Sequence, residues 1–137
     1  MGFFGRTSKQ LTSIPEPYLR GLRDYGEHLV GARDGYNADL MADLSVMRFA
    51  QSDPETYIET LSAAIFSGPP HLSGYAGPCC LGAAEIIVNA FGIEPAATPA
   101  WHRIVDTAAA YLRSCGVSYG QVKPYMQARW PQADPGS

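Results

Sequence analysis

The run from Pro78 to Phe91, PCCLGAAEIIVNAF, restricts the fold of this chain more than any other stretch. Wound into a helix it is apolar round nearly its whole circumference, and only Gly82, Glu85 and Asn89 form a polar strip. Such a helix has to be wrapped by others, because most of its surface would otherwise lie against water. It is too short, and too interrupted by Glu85 and Asn89, to span a bilayer. The 137 residues that carry it are enough for one domain whose core needs no disulfide or metal staple. Apolar residues at 46% against charged residues at 17% fit a soluble globule and argue against disorder.

The wrapping helices are legible from their stripes and stops. Pro15, Glu16 and Pro17 suit a first helical turn, after which Tyr18, Leu19, Leu22, Tyr25, Leu29 and Val30 share one face. On the other face Arg20 with Asp24, Arg23 with Glu27, and Asp24 with His28 stand at the spacing of exposed helix pairs. This helix is expected to end between Gly31 and Gly35. Asn37 can cap a second helix, with Asp39 near its positive end and Leu40, Met41, Leu44, Met47 and Ala50 inward. Ser52-Asp53-Pro54-Glu55 is the clearest start signal, and it opens a stripe of Tyr57, Ile58, Leu61, Ala64 and Ile65.

Glycine and proline punctuate Ser67 to Gly77, which reads as a loop. Beyond the central run, Glu94 to Thr98 is a linker. Thr98-Pro99 then opens a helix with Trp101, Ile104, Val105, Ala108, Tyr111, Leu112 and Cys115 on one side, stopped by Gly116. Ser118 and Gln121 have capping-box spacing, and a short helix from Pro124 to about Trp130 follows a turn. No strand alternation and no internal repeat stands out. The sequence therefore predicts an all-α, single-domain bundle of five to six short helices around a central apolar helix at about 78–91. Residues 15–130 form the domain, between a flexible N-terminal segment at 1–14 and a flexible tail at 131–137.

Charge and cysteine usage narrow the function classes. Ten Lys plus Arg against thirteen Asp plus Glu give a formal charge of -3, and no basic block is present, so nucleic acid is a poor partner. Three cysteines are odd in number and too few for a disulfide scaffold, which favours the cytoplasm. The opening MGFFGRTSKQ lacks the apolar run of a secretory signal, and Arg6 breaks a myristoylation motif. Phe3 and Phe4 are expected to fold back on the body or to sit in a mobile end. The Ala, Gly, Arg and Pro usage is of the kind that high-GC bacterial genomes produce.

Cys79 and Cys80 are the first candidates for chemistry. With Pro78 as the first helical residue, both lie in the first turn, where free N–H groups and the helix dipole activate a thiol. A nucleophile also needs a base and a cradle for the developing charge. No arginine follows within a turn, and a base from His71 or His102 has to arrive from another segment. Neighbouring helical residues point about 100° apart, so the pair does not converge on a metal as a C-x-x-C pair does. The small residues Gly77, Gly82, Ala83 and Ala84 favour a packing role, with both cysteines as small hydrophobes.

Glu85, the one charge on the central helix, is a weak general-acid candidate that its strip with Gly82 and Asn89 places at an exposed or rim position. His102 and Asp106 resemble a base with its orienting carboxylate, yet they lie opposite the Trp101 stripe on what reads as a solvated face. His71, in the proline-rich loop beside Tyr75, sits where ligand contacts collect. Tyr119, Tyr125, Met126, Arg129 and Trp130 crowd the C-terminal end with residue types typical of binding hot spots, although Trp130 and Tyr125 also suit docking of the last helix. No P-loop, dinucleotide glycine pattern, H-E-x-x-H or G-x-S-x-G is present.

The reading that follows is a non-enzymatic cytoplasmic helical protein that binds another protein, as an adaptor or a toxin-neutralising immunity protein does. Its surface would be the loop Gly68 to Gly77, with His71 and Tyr75, plus the C-terminal Tyr125, Arg129 and Trp130. No cofactor, metal or membrane span is expected, and the oligomeric state is open. The alternatives are a small cysteine-dependent enzyme or ligand binder with a pocket near Cys79, Cys80 and His71, and a structural subunit of a larger assembly.

Overall fold

A computed structural model describes residues 14–36, 44–67, 74–90, 98–118 and 120–121. Among them are five α-helices and no strand: α1 (Glu16–Leu29), α2 (Leu44–Ser52), α3 (Pro54–Ser67), α4 (Ala76–Glu85) and α5 (Pro99–Ser114). A π-helical turn, Ile86–Ala90, continues α4. The all-α bundle read from the sequence is the fold. None of these helices is long and apolar enough to cross a membrane.

The helix ends follow from single residues. Thr98 Oγ1 accepts a hydrogen bond from the Trp101 N–H at 3.0 Å and starts α5. Asp53 Oδ1 does the same for the Thr56 N–H at 3.2 Å and separates α3 from α2. Gly116, at φ 89°, reverses the chain after α5, with Gly116 N–H bonded to Arg113 O and Val117 N–H to Leu112 O. Gly31, at φ 79°, ends α1 in the same way, with Gly31 N–H on His28 O and Ala32 N–H on Glu27 O. Both sites need a left-handed backbone, which glycine adopts without strain. Gln121 Oε1 takes the Ser118 N–H at 3.1 Å, the back half of the expected capping box.

Helix α4 is the axis of the bundle, and every residue from Pro78 to Glu85 is buried. It runs antiparallel to α1, for Gly26 sits against Pro78 and Gly82 against Leu22. A Cβ at Gly26 would overlap the Pro78 carbonyl oxygen, and one at Gly82 would overlap the Leu22 carbonyl oxygen. On its other side α4 meets α5, where a Cβ at Gly77 would stand 2.8 Å from Tyr111 Cβ. Tyr18, Leu19 and Leu22 of α1, Tyr57, Ile58, Leu61 and Ile65 of α3, and Trp101, Ile104, Val105, Ala108 and Leu112 of α5 close the core.

Several details differ from the sequence reading. The α-helix starts two residues before Pro78 and gives way to the π turn after Glu85, so the central element is not one α-helix over 78–91. Gly74 and Tyr75 form a 3₁₀ turn leading into α4, which makes helix of the end of the expected loop. In α2 it is Val46 and Phe49, with Ala50, that are buried, whereas Met47 is half-buried. Ile14, counted with the N-terminal segment, belongs to the core. Cys115 leaves the α5 stripe and is exposed, because the reversal at Gly116 begins there.

The charged face of α1 pairs differently as well. Arg20 reaches Glu16 at 3.2 Å, and Arg23 turns to the adjacent Asp24, with Nε at 3.0 Å and Nη2 at 2.8 Å. Asp24 is buried rather than solvated, and Arg33, carried back by the turn at Gly31, lies 3.5 Å from it. The expected cap at Asn37, His71, the linker before Thr98, and Tyr125, Arg129 and Trp130 fall outside the described residues.

Candidate functional site

The two cysteines do not form a site together. Because α4 begins at Ala76, they lie past its first turn, beyond the free N–H groups that would activate a thiol. Cys79 turns to α1 and donates its thiol hydrogen bond to the Leu19 carbonyl at 3.4 Å. Cys80 turns to α5, where the Thr107 hydroxyl meets it. Burial pushes the Cys79 thiol up to about 12, and Arg23 offsets only part of this, while Glu27 and Asp24 add to it. Burial raises the Cys80 thiol as well, against partial relief from Arg103 and Thr107. Both thiols are therefore protonated at neutral pH and closed to solvent, with exposures of 2% and 0%. All three cysteines are free.

Glu85 corrects the rim position expected for it: it is 1% exposed. The reason is Gly82. Read as part of a polar strip, this glycine is instead a point of close approach by the α1 backbone, and its face is turned inward. The Asn89 side-chain amide, on the π turn one helical step further, donates to Glu85 Oε1. The carboxylate is thus buried and tied to Asn89 within the bundle.

His102 and Asp106 are both exposed on α5, as a solvated face requires. Beside His102, Arg103 stacks over the Phe66 ring at 4.0 Å. Among the described residues, no three His, Cys, Asp or Glu side chains are placed to hold a metal ion.

What the fold does assemble is a shallow recess of about 500 Å³ where α1, the entrance of α4 and α5 meet. Glu27 of α1, Tyr75, Gly77 and Pro78 of the α4 entrance, and Tyr111 and Ser114 of α5 line it. Tyr75 is 38% exposed, one of two large apolar side chains so open among the described residues. The Arg23 guanidinium lies over its ring, 4.8 Å from the centroid. Burial holds the Tyr111 phenol well above its ordinary range, a hydrogen bond with Cys115 adds to this, and the Glu27 carboxylate adds a little more. Tyr111 is therefore neutral at any physiological pH, and its hydroxyl remains a hydrogen-bonding group.

The charges around the recess are unequally satisfied. Asp24 takes both short bonds from Arg23 and a contact from Arg33, whereas Glu27 has Arg33 at 3.7 Å. Arg33 is itself nearly half exposed, so its hold on Glu27 is a screened surface pair of at most about 1 kcal/mol.

Of the recess, the sequence singled out Tyr75 and the end of its loop, Gly74 to Gly77. Glu27 read as a solvated helix charge and Tyr111 as core stripe. Two signals could have found them. An isolated glycine in a helix, here Gly77, marks a close approach by a neighbour. A tyrosine at the end of an apolar stripe tends to leave its polar tip at an edge.

Compared with protein-family models, curated proteins and solved structures, the chain finds no match in any of the three.

Proposed function

We propose that this protein acts by binding another protein, and that it does so on the side of the bundle where Tyr75 borders the recess. The observation that carries the reading is the contrast between the two exposed tyrosines. Tyr36 is 37% exposed but already stacks on Tyr25 and His28 of its own chain, at 4.8 and 5.0 Å. Tyr75 is equally open, stands at the lip of a recess, and carries an arginine over its ring. Tyrosine and arginine beside a concavity are the residue types that anchor protein interfaces.

Burial of both candidate thiols weighs against the cysteine-dependent alternative, because a nucleophile has to meet its substrate as a thiolate. Free cysteines suit a reducing compartment, and we place the protein in the cytoplasm. The formal charge of -3 weighs against a phosphate-backbone partner. An adaptor or a toxin-neutralising immunity protein fits this description.

Site-specific photo-crosslinking tests it. A benzophenone side chain at Ser114, on the exposed rim, should capture a predominant partner in the native host. Tyr75→Ala should lose that adduct and Tyr36→Ala should keep it. Retention in Tyr75→Ala would remove the proposed surface, and the absence of any adduct would remove the binding reading.

A further inference from the structure

We infer that the recess is a seat for one basic side chain, lysine or arginine, presented by the protein partner. The inference rests on the binding reading above and names the chemistry that its surface selects.

Charge is the first ground. Among the described residues that line the recess, Glu27 is the one charged group, and it is acidic. Its counter-ion Arg33 approaches from outside at 3.7 Å and is nearly half exposed, so an incoming cation can share or displace it at little cost. Asp24, by contrast, is satisfied by two close guanidinium bonds and does not compete for the newcomer. A carboxylate entering the recess would meet Glu27 as a like charge. A purely apolar side chain would strip water from Glu27 and return no hydrogen bond.

The walls are the second ground. Tyr75 and Tyr111 bring two phenol rings to the same recess as the carboxylate. Rings beside a carboxylate favour a cation, since the ring face is the negative end of its quadrupole. Arg23 already lies over the Tyr75 ring at 4.8 Å and is held there by Asp24, so the incoming head group seats on Glu27 and the Tyr111 side of the recess. The Tyr111 hydroxyl is shared with Cys115, and Ser114 adds a second hydroxyl at the rim. The stem of a lysine or arginine can lie along the apolar Gly77 and Pro78 edge while its head reaches Glu27. A recess of about 500 Å³ has room for one such side chain together with water.

Amide chemical-shift mapping on the intact chain tests the seat without the partner. The probes are the blocked single residues N-acetyl-lysine methylamide and N-acetyl-arginine methylamide, with the norleucine and glutamate analogues as controls. The basic probes should produce saturable shifts centred on Gly77, Ala110 and Ser114, weakened by added salt. Glu27→Gln should weaken that binding about tenfold, as the loss of a charged hydrogen-bond partner does. Glu59→Gln removes the same charge from an exposed position on α3 and should leave the binding unchanged.

Equal shifts with norleucine, equal loss in Glu59→Gln, or shifts centred elsewhere would overturn the seat. Each variant's unperturbed spectrum away from α1 checks that it folds. The outcome is separable from that of the crosslinking experiment. Tyr75-dependent capture together with silent basic probes removes this inference alone. Saturable binding of the probes with capture indifferent to Tyr75 supports the seat and removes the partner surface.

Discussion

Helix α4 meets its two neighbours through the same device, a small residue at the crossing, yet the two seams have different consequences. Against α1 the glycines at 26 and 82 bring backbone onto backbone, with carbonyl oxygens where a Cβ would go. Against α5 the glycine at 77 faces the Tyr111 side chain. A carbonyl in a helix cannot step aside, so the first seam is closed and dry, and the thiol of Cys79 is shut within it. A tyrosine at the end of a helix can tilt, and the second seam opens into the recess. Close packing of backbones makes scaffold, and close packing against a side chain leaves room for recognition.

Five variants sharpen or break this contrast, the strongest first. Gly26→Ala and Gly82→Ala should each destabilise the protein by about 3 kcal/mol or more in urea unfolding, since the added methyl has only backbone to displace. Gly77→Ala should cost about 1–2 kcal/mol, because α5 can yield toward the open recess. Equal losses at positions 77 and 82 would erase the distinction between the seams.

Cys79→Ala should cost about 1 kcal/mol at neutral pH, for the lost sulfur and its bond to Leu19. Its effect on pH dependence has a definite sign. The unfolded thiol ionises near 9 and the folded one near 12, so the unfolded state sheds its proton first as pH rises. Wild-type stability from this group is complete below pH 9 and is lost progressively as pH climbs toward 12. Cys79→Ala should show a shallower decline over that window, and an unchanged slope would mean that the thiol is not shut in. At neutral pH a thiol reagent should modify Cys115 in the native state, and Cys79 and Cys80 only on denaturation. Tyr75→Ala should be the mildest, within about 0.5 kcal/mol of wild type in stability, since it lies on the open seam.

Several local signals in the sequence were read correctly where one residue decides the structure, although Pro78 did not start α4. Asp53 and Thr98 cap the helices they introduce, and Gly31 and Gly116 reverse the chain after α1 and α5. The Trp101 stripe was legible because its period is set by the helix itself. Misreadings arose where meaning depends on which neighbour arrives. Gly82 counts as polar on a helical wheel, but a glycine has no side chain to present to water, and here it marks a close helix crossing. Glu85 followed it to the wrong side for that reason. Asp24 has the spacing of a surface pair, and only the reversal at Gly31 brings Arg33 back to enclose it. The recess depends on three segments far apart in the chain, so Glu27 and Tyr111 had no shared signature to read.

The closed seam also has a consequence in time. The bond between Cys79 and Leu19 joins residues 60 positions apart, and the glycine contacts beside it span similar separations. Closing so long a stretch costs chain entropy before any of the packing is recovered. Contacts of this kind slow the search for the native state, and those completed after the barrier act on escape from it. If α1 docks after the barrier, loosening the seam at Gly82 leaves the refolding arm of a chevron nearly unmoved and speeds the loss of native molecules; a slowed refolding arm would place the seam before the barrier. The glycines of α1 and α4 then act as a latch, and what they set is how long the folded chain lasts.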